Sequence, residues 1–135
     1  WGEYFIKGMN ALDKKQYLTA YKYFNAVVRL EPQNKMAKAF AREAKVEYHF
    51  QKGNDFFSRG DYYRAVSHYL EAEKLAPGSV SILYNLALSY FRVGDYQEAW
   101  QYYYKLKKVS PNHELTMRLK DILAIDGNNL SNLRC

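Results

Sequence analysis

Gly60-Asp61-Tyr62, followed by Ala65, Tyr69, Ala72 and Pro77, returns 34 residues later as Gly94-Asp95-Tyr96, followed by Ala99, Tyr103, Leu106 and Pro111. A fixed period of this length is the mark of stacked helical hairpins, none of which buries a core alone. Ahead of Gly60-Asp61, Phe50, Gly53, Phe56 and Phe57 recur at helical spacing. Behind it Tyr62, Ala65, Val66, Tyr69 and Ala72 form a second amphipathic stretch. Residues 80–111 repeat the arrangement, with Leu83, Leu86, Ala87 and Tyr90 before the glycine and Tyr96, Ala99, Tyr103 and Leu106 after it. Each block reads helix, turn, helix, and the expected fold class is all-α.

Working back toward the N terminus, a weaker block keeps Gly8, Ala20, Phe24 and Pro32. It has Lys15-Gln16 where the others have Gly-Asp, and Ala11 where they have Phe56 and Tyr90. Small residues thus stand at Gly8, Gly53 and Ala87, and again at Ala20, Ala65 and Ala99. Small side chains let two helix axes approach, the rings Phe24, Tyr69 and Tyr103 fill the adjoining space, and a proline ends each second helix. On these residues the chain resembles the tetratricopeptide repeat (TPR) family over 1–111. The resemblance implies a right-handed superhelical stack of antiparallel hairpins, an α-solenoid whose inner face receives another polypeptide.

The period breaks once, because Ala20 to Ala65 spans 45 residues. The extra eleven amount to about three helical turns, which lengthen a helix by roughly 16 Å without turning its face. The segment Lys35 to Lys45 is rich in alanine and free of glycine and proline, so one long helix is expected over about 34–58. Met36, Phe40 and Ala44 would pack on the first hairpin, Tyr48 and Phe56 on the second, with the first hairpin offset from the others. The expected organisation is a single domain over 1–135, with hairpins at about 1–32, 34–77 and 79–111. Leu115, Leu119, Ile122 and Leu123 predict a capping helix over about 113–124, or the first helix of a fourth repeat. Asp126 to Cys135, rich in Asn, reads as a loop or frayed tail.

Fourteen tyrosines and an aromatic share of 17% are high for 135 residues, and rings packed between helices account for part of the excess. A formal charge of +6 favours acidic partners weakly. The lone Cys135 excludes an internal disulfide and any CxxC motif. Neither a signal peptide nor a membrane span is visible, and the compartment is not indicated. Without an initiating methionine, and with a repeat starting at residue 1, the sequence reads as a piece of a longer protein.

In this family the first helix of each hairpin faces the concave groove, which implies a lining of Phe5, Met9 and Leu12, then Phe50, Asn54 and Phe57, then Tyr84, Leu88 and Phe91. An apolar lining of this kind suits an extended peptide or an amphipathic helix, with Asn54 orienting a peptide backbone. The alternative is that these rings are core between hairpins. Some members grip a terminal carboxylate with lysine and asparagine; here Phe5, Met9, Phe50, Ser81 and Tyr84 stand where such cations would point, which implies an apolar ligand instead.

Lys35, Lys38, Arg42 and Lys45 fall within an arc of about 80° on the long helix. They are a candidate secondary basic surface for an acidic partner or nucleic acid, or simply a solvated face. Trp100 and Tyr104 are expected against the capping helix. Nucleic acid is disfavoured, because the aromatic residues are committed to helix packing.

His49, His68 and His113 lie in different elements without metal-ligand spacing. No phosphate-binding glycine loop or nucleophile elbow occurs, and Asp61 and Asp95 are expected as helix caps. The reading is therefore a noncatalytic adaptor or scaffold, without cofactor or metal, that binds a protein or peptide partner. The alternatives are an assembly element that self-associates through its terminal or convex faces, and a helper module attached to an enzyme.

Overall fold

The computed structural model describes the backbone of residues 1–134 and the side chains of residues 1–124. Seven helices follow in order: α1 (Gly2–Asp13), α2 (Tyr17–Leu30), α3 (Lys35–Ser58), α4 (Tyr62–Leu75), α5 (Val80–Arg92), α6 (Tyr96–Val109) and α7 (Glu114–Arg134). No strand occurs among the described residues. The backbone contacts form two compact units, Trp1–Gln51 and Lys52–Cys135. The boundary falls inside α3.

The three turns inside the hairpins share one geometry. In each, two successive N–H groups fold back on the preceding helix: Lys15 and Gln16 donate to Leu12 and Ala11, Gly60 and Asp61 to Phe57 and Phe56, Gly94 and Asp95 to Phe91 and Tyr90. This is the Schellman pattern, which satisfies the last carbonyls of a helix and needs a left-handed residue at the crossing. Gly60 (φ 80) and Gly94 (φ 85) supply it at no steric cost, whereas Lys15 is forced to φ 59. The weak block therefore makes the same turn under strain. Asp61 Oδ1 accepts from the Arg64 N–H at 3.2 Å and caps α4. Asp95 makes no such side-chain bond, contrary to the expectation for it.

The second helices also end alike. Glu31, Ala76 and Ser110 leave helical geometry with φ of −131, −139 and −145, and each precedes a proline, which excludes the α region for the residue before it. The chain then restarts on a fresh cap. The Asn34 carbonyl oxygen accepts from the Ala37 N–H at 3.0 Å, Ser79 Oγ accepts from Ile82, and His113 Nδ1 accepts from Leu115.

In the first unit, α1 lies so close to α2 that a Cβ added at Gly8 would stand 2.8 Å from Phe24. Phe24 is fully buried among Ala11, Ala20, Ala41 and Ala44. It stacks on Phe40 at 5.3 Å, with the Phe5 ring edge-on to both. Burial of such a ring contributes about 1.5–3 kcal/mol. On α3 the residues facing this core are Ala37, Ala41 and Ala44, with Phe40 at its edge. Met36, expected to pack here, is 60% exposed. It stands about 100° round the helix from the buried alanines.

The second unit repeats the close approach, with a Cβ at Gly53 only 2.5 Å from the buried Tyr69 ring. Ala65, Tyr69, Ala72, Leu83, Leu86, Ala87, Ala99, Tyr103 and Leu106 continue its core, which α7 joins through Leu119, Leu123 and Thr116. The Thr116 hydroxyl donates to the Ser110 carbonyl at 2.7 Å. The α7 helix continues to Arg134, where a loop was expected from 126; a formed helix propagates at lower cost than it nucleates, and no proline interrupts it. Cys135 lies outside the described residues.

Two stability changes follow from these contacts. Lys15→Gly removes a left-handed lysine and raises unfolding free energy by about 1 kcal/mol, read as a higher denaturant midpoint at unchanged slope. Gly53→Ala drives a methyl group into Tyr69; overpacking outweighs the gain in helix propensity, for a net loss of about 1–2 kcal/mol. An unchanged or raised midpoint for Gly53→Ala would mean that the α3–α4 approach is not set by this contact.

Candidate binding groove

The second unit brings five of the proposed lining residues onto α3 and α5. Tyr84, Leu88 and Phe91 follow one another at i, i+4 and i+7 on α5 and are half-buried, as is Phe57 on the last turn of α3; Asn54, one turn earlier, is exposed. The two phenylalanines are placed alike. Phe57 meets the Tyr62 ring edge-on at 5.0 Å and Phe91 meets Tyr96 edge-on at 5.5 Å, each ring leaning on the residue that opens the next helix. The Arg92 guanidinium lies 6.0 Å from the Tyr62 ring. Phe57 and Phe91 thus brace hairpin turns while keeping one side in solvent.

Asn54 is held by two neighbours that the sequence did not single out. Its carbonyl oxygen accepts a short bond from the Tyr69 hydroxyl and a second from Asn85 Nδ2 at 3.3 Å. Burial raises the Tyr69 pKa far above the usual phenol range, so the hydroxyl stays a proton donor. With both bonds ending on one oxygen, the Asn54 amide has a fixed orientation. Its Nδ2 donor and the Asn85 Oδ1 acceptor have no bond to another described residue. The signal for this arrangement lay in the change from Phe24 to Tyr69 at one repeat position, since a buried hydroxyl requires a partner.

The first unit treats its share of the lining differently. Phe5, Met9 and Leu12 are half-buried and pack against the cluster of Ala11, Ala20, Phe24, Ala41 and Ala44. That places them with the core, in line with the alternative reading of these side chains. Trp1 closes on Phe5 edge-on at 6.1 Å. Phe50 is half-buried near the end of this unit. The row from Phe5 to Phe91 is accordingly divided between two units, Phe5, Met9, Leu12 and Phe50 in the first and Asn54, Phe57, Tyr84, Leu88 and Phe91 in the second.

Of the basic stripe, Lys35, Lys38 and Arg42 are exposed and line, with Ala39, a shallow depression of about 260 Å3. Lys45 is half-buried with its ammonium group 5.4 Å from the Tyr21 ring, so it is engaged in packing rather than in the stripe. Trp100 meets Tyr103 edge-on at 5.6 Å, and Tyr104 is 59% exposed instead of covered by α7. Tyr102 of α6 also turns inward, and its hydroxyl donates to Glu73 Oε1 at 2.8 Å under a stacked Tyr90 ring. Lys105 completes this bridge between α4 and α6, 3.5 Å from Glu73 and 4.5 Å from the Tyr102 ring.

Burial, reinforced by Lys52 and opposed by Glu71, lowers the His68 pKa, and burial beside Glu43 raises that of Glu47. Among the described residues no three His, Cys, Asp or Glu side chains converge on a metal site, and no helix is long and apolar enough to cross a membrane.

The repeats are recognisable by comparison. A family model described as TPR repeat matches residues 53–94, and one described as tetratricopeptide repeat matches 4–34 and 80–113. No curated protein matches the sequence. Among solved structures, the C-terminal TPR-containing domain of a Plasmodium falciparum FK506-binding protein superposes with a TM-score of 0.63 at 16% identity, covering 98% of this chain and 89% of that one. A tetratricopeptide repeat protein of Parabacteroides merdae superposes with a TM-score of 0.57 at 19% identity, covering 94% and 60%. Seven helices and no strand among the described residues, hairpins closed by turns of one hydrogen-bond pattern, and repeat models that together match more than half of the chain place it in the tetratricopeptide repeat family.

Proposed function

We propose that this chain is a noncatalytic protein-interaction module whose second unit binds an extended segment of a partner along Asn54, Phe57, Tyr84, Leu88 and Phe91. The observation that carries the reading is the oriented pair Asn54 and Asn85. A peptide bond presents one acceptor and one donor, and the pair offers one donor, Asn54 Nδ2, and one acceptor, Asn85 Oδ1. Tyr84, Leu88 and the open sides of Phe57 and Phe91 supply apolar contact around it, so that main-chain bonds fix register while side-chain contacts supply affinity. Phe5 and Met9, half-buried against the core of the first unit, are left out of this proposed lining.

The test is selection of peptides on the intact chain from a random library, followed by affinity measurement on variants. Asn85→Ala removes one backbone partner and weakens selected peptides by about fivefold. Leu88→Asp places a charge in the apolar row and weakens them by about tenfold or more. Both sites are on the surface side of α5, so circular dichroism and melting stay close to wild type. Peptides that bind with undiminished affinity to both variants would place recognition elsewhere.

Tyr69→Phe separates packing from orientation. The ring remains against Gly53 while the bond to Asn54 is lost, so stability falls by only about 1 kcal/mol, whereas peptide affinity falls with the loss of a fixed amide. An affinity unchanged by Tyr69→Phe would mean that Asn54 needs no such orientation.

A further inference from the structure

The eleven residues that lengthen α3 add something the repeat does not require. Over Lys35–Lys45 the helix buries Ala37, Ala41 and Ala44 on one face and exposes Lys35, Lys38 and Arg42 on another, about 90–150° away. The one acidic residue of this stretch, Glu43, lies about 80–140° further round. None of the three cations has a carboxylate at ion-pair distance among the described residues. Lys7, Arg64, Lys74, Lys105 and Arg118 are paired, while Lys107, Lys108 and Lys120 are exposed and, among the described residues, as unpaired as these three. Like charges one turn apart weaken a helix, so neither packing nor helix stability accounts for the segregation.

We propose that Lys35, Lys38 and Arg42 form a docking surface for an acidic segment of a partner protein. Ala39 flanks the cations on the side away from Lys38 and lets a partner chain come close to the helix, at the shallow depression of about 260 Å3 that these four residues line. The cations span about 10 Å along the axis, the length of some three extended residues, so a short run of Asp or Glu meets all of them. An arginine next to two lysines adds a planar fork that fits a carboxylate in two-point contact. Single-stranded nucleic acid fits less well, since no aromatic side chain stands among the cations to stack a base. An anionic membrane is also a poorer match, as the nearest exposed apolar side chain, Met36, stands about 100–160° round the helix from the cations.

The test uses the whole chain and a short fluorescent oligoglutamate peptide in low salt. The variant Lys35→Glu/Lys38→Glu/Arg42→Glu is compared with Lys107→Glu/Lys108→Glu/Lys120→Glu, which changes total charge by the same amount on other exposed positions. The first variant is expected to lose about tenfold in affinity and the second less than about threefold. Carbodiimide cross-linking of the peptide is expected on Lys35 and Lys38. Equal losses in the two variants would show attraction to net charge alone and overturn the proposal. So would cross-links confined to other lysines, or tighter and equally stripe-dependent binding of an oligonucleotide or of phosphatidylserine vesicles. Circular dichroism of both variants reports that α3 remains formed; if the first variant loses helicity, Lys35→Gln/Lys38→Gln/Arg42→Gln replaces it and the same outcomes decide.

Discussion

The structure depends on the distance at which the first helix of a hairpin can lie against the second. Gly8 faces Phe24 and Gly53 faces Tyr69 with no room for a Cβ, and in both cases the ring is buried to 1% or less. An aromatic ring is broad enough to cover a helix backbone only where that backbone carries no side chain, so ring and glycine specify each other. Ala87 shows the limit of this requirement. In the third hairpin a methyl group is present at the same repeat position, and Tyr103 is still buried at 4%.

The close approach is useful only if every hairpin ends at the same place, and the turns enforce that. A left-handed residue closes the first helix, and a residue before proline closes the second. These are backbone constraints, which explains why they persist while side chains change. Lys15 carries the same φ sign as Gly60 and Gly94 despite the steric cost. The hydrogen bonds of the turn and the docking of α2 on α1 outweigh the cost of one strained residue.

These backbone rules are what made the fold legible. The 34-residue spacing of Gly-Asp-Tyr, the alanines and the prolines locates α4, α5 and α6, the small residues and proline of the weaker block locate α1 and α2, and the alanine-rich insertion without glycine or proline gives the long α3, because each of those residues meets a local requirement. The candidate groove was legible only in part. Position within the repeat was the guide to Phe5, and the structure adds a ring contact to Phe40, a residue of the lengthened α3 with no counterpart in the regular period. Asn85 and the Tyr102–Glu73–Lys105 bridge join residues 29 to 32 positions apart, a separation at which periodicity places helices but does not choose side-chain partners. Lys45 is a similar case, since its engagement with Tyr21 depends on where α2 lies.

Tyr69 is where the requirements of fold and site meet. Phe24 occupies the same repeat position in the first hairpin and packs against Gly8 with a ring alone, so packing does not demand a hydroxyl. In the second hairpin the hydroxyl is present, emerges at the edge of the core and holds Asn54. An amide on a solvent-exposed helix face otherwise samples several rotamers, and immobilising it on binding costs free energy that a ligand contact must offset. Bonding the carbonyl to a buried ring meets that cost during folding. The same ring that sets the spacing of α3 and α4 thereby fixes the direction of the Asn54 N–H groups, and a change that shifts those helices also shifts the donor.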